Sequence, residues 1–96
     1  MSAWELSGPP TPLSQAEDRR PIVGSGVVRH VEARAGKIFL CRVSDGTGEV
    51  DLVFVGRDAV PGLVAGARCS FEGTVRAQAK RLAIWNPLYR LEGYAG

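Results

Sequence analysis

The chain has 96 residues, of which 45% are hydrophobic, and its formal net charge at pH 7 is +2. This length and composition predict one globular domain with one modest hydrophobic core, and they argue against wholesale disorder. A net charge of +2 is too small to indicate a polyanionic partner by itself. No apolar run is long enough to cross a membrane and the N-terminus lacks the layout of a signal peptide, so we expect a cytoplasmic protein without a membrane partner.

Residues 1–20 are predicted to form a flexible N-terminal arm, and residues 21–96 the folded domain. Three prolines fall between positions 9 and 12, where they prevent a regular helix or an interior strand, and the segment has no hydrophobic periodicity. Trp4 and Leu6 are unusual in such an arm. Either they are unstructured, or they fold back over an apolar surface of the domain.

The centre of the predicted domain is a β-hairpin. Residues 38–43 and 50–55 are rich in β-branched and large apolar side chains, and the sequence Ser-Asp-Gly-Thr-Gly-Glu separates them. An Asp-Gly pair in such a spacer is typical of a hairpin turn, because glycine adopts positive φ and the aspartate caps the turn. Since alternate residues of a strand share a face, we expect one continuous apolar face formed by Phe39, Cys41, Val43, Val50, Leu52 and Phe54.

The hairpin supplies the second and third strands of a larger sheet. The other strands are predicted at residues 21–33, 67–78 and 81–86. Residues 56–66 are too short and too rich in proline and glycine for a helix, so we expect a short turn with Leu63 packed into one end of the sheet. Pro87 then bends the chain outward. Five strands with one short turn after the third predict an all-β, five-stranded antiparallel barrel, closed or nearly closed.

Charge is distributed unevenly along the domain. Residues 33–44 and residues 73–91 carry basic side chains and no acidic ones, whereas residues 45–58 hold four acidic residues and one basic residue. Segregation of this kind predicts a polarised surface, and it says more about a partner than the net charge does.

Four stretches resemble the oligonucleotide-binding (OB) fold: Gly-x-Val at residues 26–28, VSDGTGEVDLVF across the hairpin, GLVAGARCSFEGTV into the fourth strand, and RLAIWNPLY on the fifth. From Arg20 onward the chain is similar to small stand-alone OB-fold proteins of actinobacteria, which resemble DLVFVGRDAVPGLVAG and NPLYRL closely. It also resembles the wedge domain of the bacterial branched-DNA helicase, whose fifth strand ends near an Asn/His-Pro-x-Tyr element. The resemblance implies an OB-fold barrel that binds DNA or RNA, single-stranded or branched, weakly and without sequence specificity.

In OB folds the ligand crosses the outer face of strands two and three, between the loops that join strands one to two and four to five. Here those loops carry basic residues that would contact phosphates, although exposed loops are also basic for solubility alone. Trp85 is predicted to face outward, either as a platform on which a base stacks or as packing at the barrel edge. The candidate nucleic-acid-binding residues are Arg34, Lys37, Arg42, Arg76, Lys80, Arg81 and Trp85.

The outer face of the hairpin supports a different function. By strand alternation it carries four apolar side chains, and Asp51 on the same face would repel phosphate. An apolar face of this kind suggests a protein partner or a homodimer. The candidate residues for this interface are Ile38, Leu40, Val53 and Val55.

The sequence does not predict an enzyme. His30 is the only histidine and has no fixed serine or cysteine partner, and Asp45 already has a role in the hairpin turn. The two cysteines, Cys41 and Cys69, have no paired spacing, so we expect no metal site and no cofactor.

Overall fold

The computed structural model describes residues 7–94, so Trp4 and Leu6 lie outside the described part of the chain. These residues form one 3-10 turn, Leu13–Gln15, and six strands. The strands are β1 (Pro21–Arg34), β2 (Ile38–Ser44), β3 (Glu49–Val55), β4 (Ala67–Gln78), β5 (Arg81–Trp85) and β6 (Leu88–Tyr94). Within residues 7–94, no helix is long and apolar enough to span a membrane.

The β2–β3 hairpin forms as its turn sequence predicts. Asp45 Oδ1 accepts hydrogen bonds from the backbone N–H groups of Thr47 at 2.8 Å and Gly48 at 3.1 Å, and Gly46 has a φ of 88°. In the resulting register Phe39 pairs with Phe54, Cys41 with Leu52, and Val43 with Val50. All six side chains are buried in the hydrophobic core, which confirms the predicted inner face.

The sheet closes on itself in a ring. The order is β1-β2-β3-β5-β4, and β4 pairs again with β1. The N-terminal half of β1 pairs with β4 and its C-terminal half with β2, and Gly26 lies near the transition. A Cβ atom at Gly26 would lie 2.4 Å from the Ser44 carbonyl oxygen, so glycine is needed for this close approach.

The prediction of an antiparallel five-stranded sheet is wrong in two respects. First, β3 and β5 are parallel, from Asp51 opposite Ala83 to Val53 opposite Trp85. Strand direction alternates around a closed ring only if the number of strands is even. Five strands therefore leave one parallel pair, and the sheet is mixed.

Second, a sixth strand follows Pro87. Asn86 has a φ of 49°, its N–H donates to the Val53 carbonyl at 2.6 Å, and its Oδ1 accepts from the Val55 N–H at 2.9 Å. The outward bend predicted at Pro87 thus ends β5, but the chain then continues as β6 along β4, pairing from Glu72 back to Ala67. β5 and β6 occupy successive parts of the same edge of β4.

Two loop side chains close the ends of the core. Leu63, in the segment between β3 and β4, is buried as predicted, and that segment contains turns and no helix. At the other end lies Leu13, which is 2% exposed. Its N–H donates to Asp45 Oδ2 at 2.9 Å, and the Thr11 N–H donates to the Val23 carbonyl at 2.7 Å.

Residues 7–20 therefore lie against the sheet, whereas the sequence prediction treats residues 1–20 as a flexible arm. The arm is held further by the Arg19 N–H, which donates to the Val75 carbonyl, and by Asp18, whose Oδ1 accepts from the Ala77 N–H. The physical reason is that the open end of the ring needs an apolar side chain, and Leu13 supplies it.

Candidate nucleic-acid interface

Alternate residues of β2, β3 and β5 point away from the core and line a groove of about 250 Å³. We call this surface the outer-face groove. Its lining contains four of the seven residues predicted to bind nucleic acid and three of the four predicted to bind protein, so the two candidate sites are largely one surface. The groove is lined by Arg34, Ile38, Leu40, Arg42, Asp51, Val53, Gln78, Ala79, Arg81, Ala83 and Trp85.

Asp51 lies in the floor of the groove between two arginines, and its side chain is only 7% exposed. Arg42, directly opposite on β2, donates from Nε to Asp51 Oδ1 at 2.9 Å. Arg81, on β5, donates from Nε to Oδ2 at 3.0 Å. The parallel pairing of β3 with β5 and the antiparallel pairing with β2 bring these groups together. The charge of Asp51, expected to repel phosphate, is thus compensated by both arginines.

The other carboxylates at the groove also have arginine partners. Glu49 Oε1 accepts from Arg81 Nη2 at 3.0 Å. Hydrogen bonds from Arg81 to Asp51, and then to Glu49, raise the pKa of Arg81. Glu32 Oε2 accepts from Arg34 Nε at 2.5 Å. Hydrogen bonds from Arg34 and then from His30 lower the pKa of Glu32. Each arginine of the groove therefore has a carboxylate partner.

Trp85 faces outward, as the alternation of β5 predicts, and is 42% exposed. Ile84 beside it is buried in the core, and Trp85 pairs with Val53 of β3. It lies at the end of β5 farthest from the β4–β5 turn. The indole thus lines the groove and is partly exposed to solvent.

The apolar residues of the groove are less accessible than the sequence suggests. Leu40 and Val53 face away from the core but are buried among the other side chains of the outer face, and Ile38 is half-buried. Val55 is exposed but does not line the groove. The outer face is therefore a mixed surface, with buried aliphatic groups under arginine and tryptophan side chains.

Three predicted cationic residues lie outside the groove. Lys37 is in the β1–β2 turn with a φ of 56°, and its carbonyl accepts from the N–H groups of Gly56 and Arg57. Lys80 is in the two-residue turn between β4 and β5, and Arg76 faces outward from β4 itself. All three side chains are exposed, and none forms an ion pair within residues 7–94.

Sequence reasoning missed Gln78 and the two partner carboxylates Glu32 and Glu49. The outward direction of Gln78 follows from strand alternation, since Cys69, Phe71 and Val75 on the same strand point into the core. Glu49 had no comparable signal, because the Arg81–Glu49 contact joins two strands that only the closed ring makes neighbours. Glu32 did have one, since it lies two residues before Arg34 on β1 and shares its face by strand alternation.

No protein-family model matches this sequence, and no curated protein matches it. Several solved structures are similar in fold. Among them are an asparaginyl-tRNA synthetase from Entamoeba histolytica (14% identity over 86% of this chain, TM-score 0.70), an aspartyl-tRNA synthetase from the same organism (12% over 81%, TM-score 0.61), and a replication protein A heterotrimer bound to ssDNA (23% over 92%, TM-score 0.62).

The likeness covers different shares of these proteins. This chain spans 23% and 19% of the two synthetase chains, and 70% of the matched replication protein A chain. At these identities the likeness concerns the fold. Together with the ring order and the short connection between β3 and β4, it is consistent with an OB fold.

Proposed function

We propose that this chain binds single-stranded nucleic acid across the outer-face groove, weakly and without sequence specificity. The observation that carries the proposal is the position of Trp85, an exposed indole that lines the same groove as Arg34, Arg42 and Arg81. The outer face of strands two and three is also the surface with which OB folds bind oligonucleotides.

Stacking is the main source of affinity in this proposal. Stacking of a base on an aromatic side chain contributes about 1–3 kcal/mol per base, and it tolerates any base because every base has a flat face. A groove of about 250 Å³ is smaller than the 300–1,000 Å³ typical of pockets that enclose a small molecule. An open surface of this size suits one part of a longer polymer better than an enclosed metabolite.

Electrostatic attraction is expected to be modest. The three arginines of the groove are balanced by Glu32, Glu49 and Asp51. Three of the candidate cations form no ion pair within residues 7–94: Lys37 and Lys80, which lie in the turns flanking the groove, and Arg76, which lies on β4 outside it. If the two turn lysines contact phosphates, the slope of log Kobs against log salt is about −1.4 for a single strand held by the groove alone. Weak binding and a shallow dependence on salt are both expected, because the arginines of the groove are already paired with carboxylates.

The comparisons and the sequence resemblance suggest which nucleic acids to test. The replication protein A structure is described as bound to ssDNA, which favours a DNA single strand as the first ligand. The resemblance to the helicase wedge domain adds forked DNA, and the synthetases add RNA.

The test is fluorescence anisotropy of labelled single-stranded DNA, single-stranded RNA, duplex and forked oligonucleotides at several salt concentrations. We expect Trp85→Ala to weaken binding by about tenfold or more, since one stacked base is lost. Val64→Ala, which shortens an exposed apolar side chain outside the groove, is the matched control. Absence of binding to every oligonucleotide by the folded wild-type protein at low salt would contradict the proposal.

A protein partner or a second copy of the chain is the alternative use of this face. The exposure of Val55 and Trp85 at one end of the groove favours it, whereas the burial of Leu40 and Val53 removes much of the apolar area that it needs. Sedimentation equilibrium distinguishes the two functions. A dimer that persists in high salt and is lost in a Val55→Asp variant would support the alternative.

A further inference from the structure

A second cleft of about 660 Å³ adjoins the outer-face groove on the other side of Trp85. We call it the side cleft. Trp85 and Gln78 line both surfaces, so the indole is a wall common to the two. The side cleft is lined by Glu72, Gly73, Thr74, Arg76, Ala77, Gln78, Trp85, Asn86 and Leu88.

One wall of the side cleft is the outward face of β4. Glu72, Thr74, Arg76 and Gln78 alternate along the strand and therefore share this face. Opposite them lies Leu88, which is 52% exposed. Trp85 and Leu88 thus give the cleft two exposed apolar side chains, although Pro87 interrupts the strand between them.

The two ends of the cleft differ in charge. Arg76 lies near the groove, two residues before Gln78, and in residues 7–94 it has neither an ion pair nor a side-chain hydrogen bond. Glu72 lies four residues away, at roughly 13 Å along the strand, and accepts from the Ser7 N–H at 3.1 Å. The cleft therefore has a cationic end beside Trp85 and an anionic end beside Leu88, whose backbone pairs with that of Glu72.

We propose that the single strand held in the outer-face groove continues over Trp85 into the side cleft. Its next phosphate pairs with Arg76, its next base packs against Leu88, and Glu72 limits how far the strand extends. The arginines of the groove are already bound to carboxylates. Arg76 has no such partner among residues 7–94, so its guanidinium can pair with a phosphate. This inference rests on the proposed function and adds a subsite on β4 and β6, beyond the face formed by β2 and β3.

The test is a length series of labelled oligothymidylates, with affinity measured for the wild type and for single variants. We expect wild-type affinity to rise with length and then level off. Arg76→Gln should weaken binding of the long oligonucleotides about tenfold and reduce the magnitude of their salt slope by about 0.7, the loss of one phosphate contact. Binding of the shortest oligonucleotide that the groove holds should be unchanged. Leu88→Ser should show the same dependence on length without the change in slope.

Arg68→Gln is the matched control. Arg68 is an exposed arginine on the same strand, it lines neither the groove nor the side cleft, and it has no ion pair in the described chain. Glu72→Gln tests the anionic end, and it should strengthen binding of the longest oligonucleotides only. Thermal unfolding of each variant shows whether the fold is intact.

Two outcomes would overturn the inference, and they are distinguishable. If Trp85→Ala abolishes binding while Arg76→Gln resembles Arg68→Gln at every length, the strand does not enter the side cleft, and the proposed function stands without it. If the wild type binds no oligonucleotide of any length, the proposed function and this inference both fail.

Discussion

The β2–β3 hairpin carries two aspartates whose environments differ in an instructive way. Asp45 lies in the turn, and its partners are the backbone and hydroxyl groups of the turn and the N–H of Leu13. Asp51 lies in the strand six residues later, and its partners are two arginines from neighbouring strands. The first carboxylate attaches the N-terminal segment to the ring. The second holds Arg42 and Arg81 in place in the floor of the outer-face groove.

The comparison separates a structural end of the molecule from a functional face. At the turn end, the Asp45 carboxylate joins the hairpin turn to the N–H of Leu13, whose side chain closes the core. On the outer face, the ion pairs of Asp51 lie over buried aliphatic groups and beside an exposed indole, and they hold cationic side chains at a surface open to ligands. Substitutions at the two places should therefore have different consequences for stability and for binding.

The largest expected effect is at the turn end. Leu13→Ala should reduce the free energy of unfolding by about 2–5 kcal/mol, because it leaves a cavity at the open end of the core. Urea denaturation measures this loss. Leu88→Ala is the matched control, and since that leucine is half exposed we expect a much smaller change. A Leu13→Ala protein as stable as the wild type would show that residues 7–20 do not close the core in solution.

Asp51→Asn should have the next largest effect on stability. It leaves two arginines facing an uncharged amide, and complete loss of a buried partner costs about 3–5 kcal/mol. Arg42 and Arg81 are 27% and 41% exposed, so water compensates them in part and we expect a loss of about 2 kcal/mol. Asp58→Asn, at an exposed aspartate without an ion pair in residues 7–94, is the control. Equal stabilities of the two variants would show that the ion pairs of Asp51 with Arg42 and Arg81 do not stabilise the fold.

Asp45→Asn should reduce stability by about 1 kcal/mol, the loss of charge-assisted hydrogen bonds to the turn and to Leu13. The effect should depend on pH. Burial by itself would raise the pKa of Asp45, but hydrogen bonds from Thr47 and from the N–H groups of Leu13, Thr47 and Gly48 outweigh it, so the pKa lies below its usual value of 3.8. A lowered folded-state pKa stabilises the protein above the unfolded-state value, and this contribution is lost as the pH falls through the folded-state pKa.

The measurement for Asp45 is the difference in urea midpoint between the wild type and Asp45→Asn from pH 7 down to pH 2. The difference should be constant near neutrality and shrink below pH 4. Other carboxylates, such as Glu92, titrate in both proteins, and their contribution cancels in the difference. A difference that is the same at pH 7 and pH 2 would mean that the carboxylate charge has no part in holding the arm.

The sequence predicts the hairpin well and the outer face only in part. Alternation along β2 and β3 identifies the inner residues correctly because one face of each strand is buried, and a slip of one residue would expose all of them. The same alternation identifies Trp85 as outward. The role of Leu13 was missed because a lone leucine among prolines and polar residues has no periodicity to mark it.

The contacts of Arg81 were missed because they depend on closure of the ring. The parallel pairing of β3 with β5 brings Arg81 next to Asp51, thirty residues away in the chain, and converts two predicted phosphate ligands into partners of one carboxylate. Local patterns show which face a residue occupies, but its partner on that face depends on strand order. Asn86 and Pro87 likewise mark the end of β5, yet whether a sixth strand follows depends on a free edge of β4.

The smallest effect that we predict concerns Lys37 and Lys80, two cations that have no ion pair among the described residues. Lys37→Gln combined with Lys80→Gln should leave the free energy of unfolding within about 0.5 kcal/mol of the wild type, because both side chains are exposed in turns. It should reduce the magnitude of the salt slope for single-stranded DNA by about 1.4, two phosphate contacts at 0.7 each.

Arg29→Gln combined with Arg68→Gln removes the same charge from a cleft that shares no residue with the groove, and should leave the slope almost unchanged. Equal reductions by the two pairs would mean that attraction to the strand comes from the net charge of the whole molecule. A reduction only by the first pair would mean that the turns beside the outer-face groove contact the phosphates.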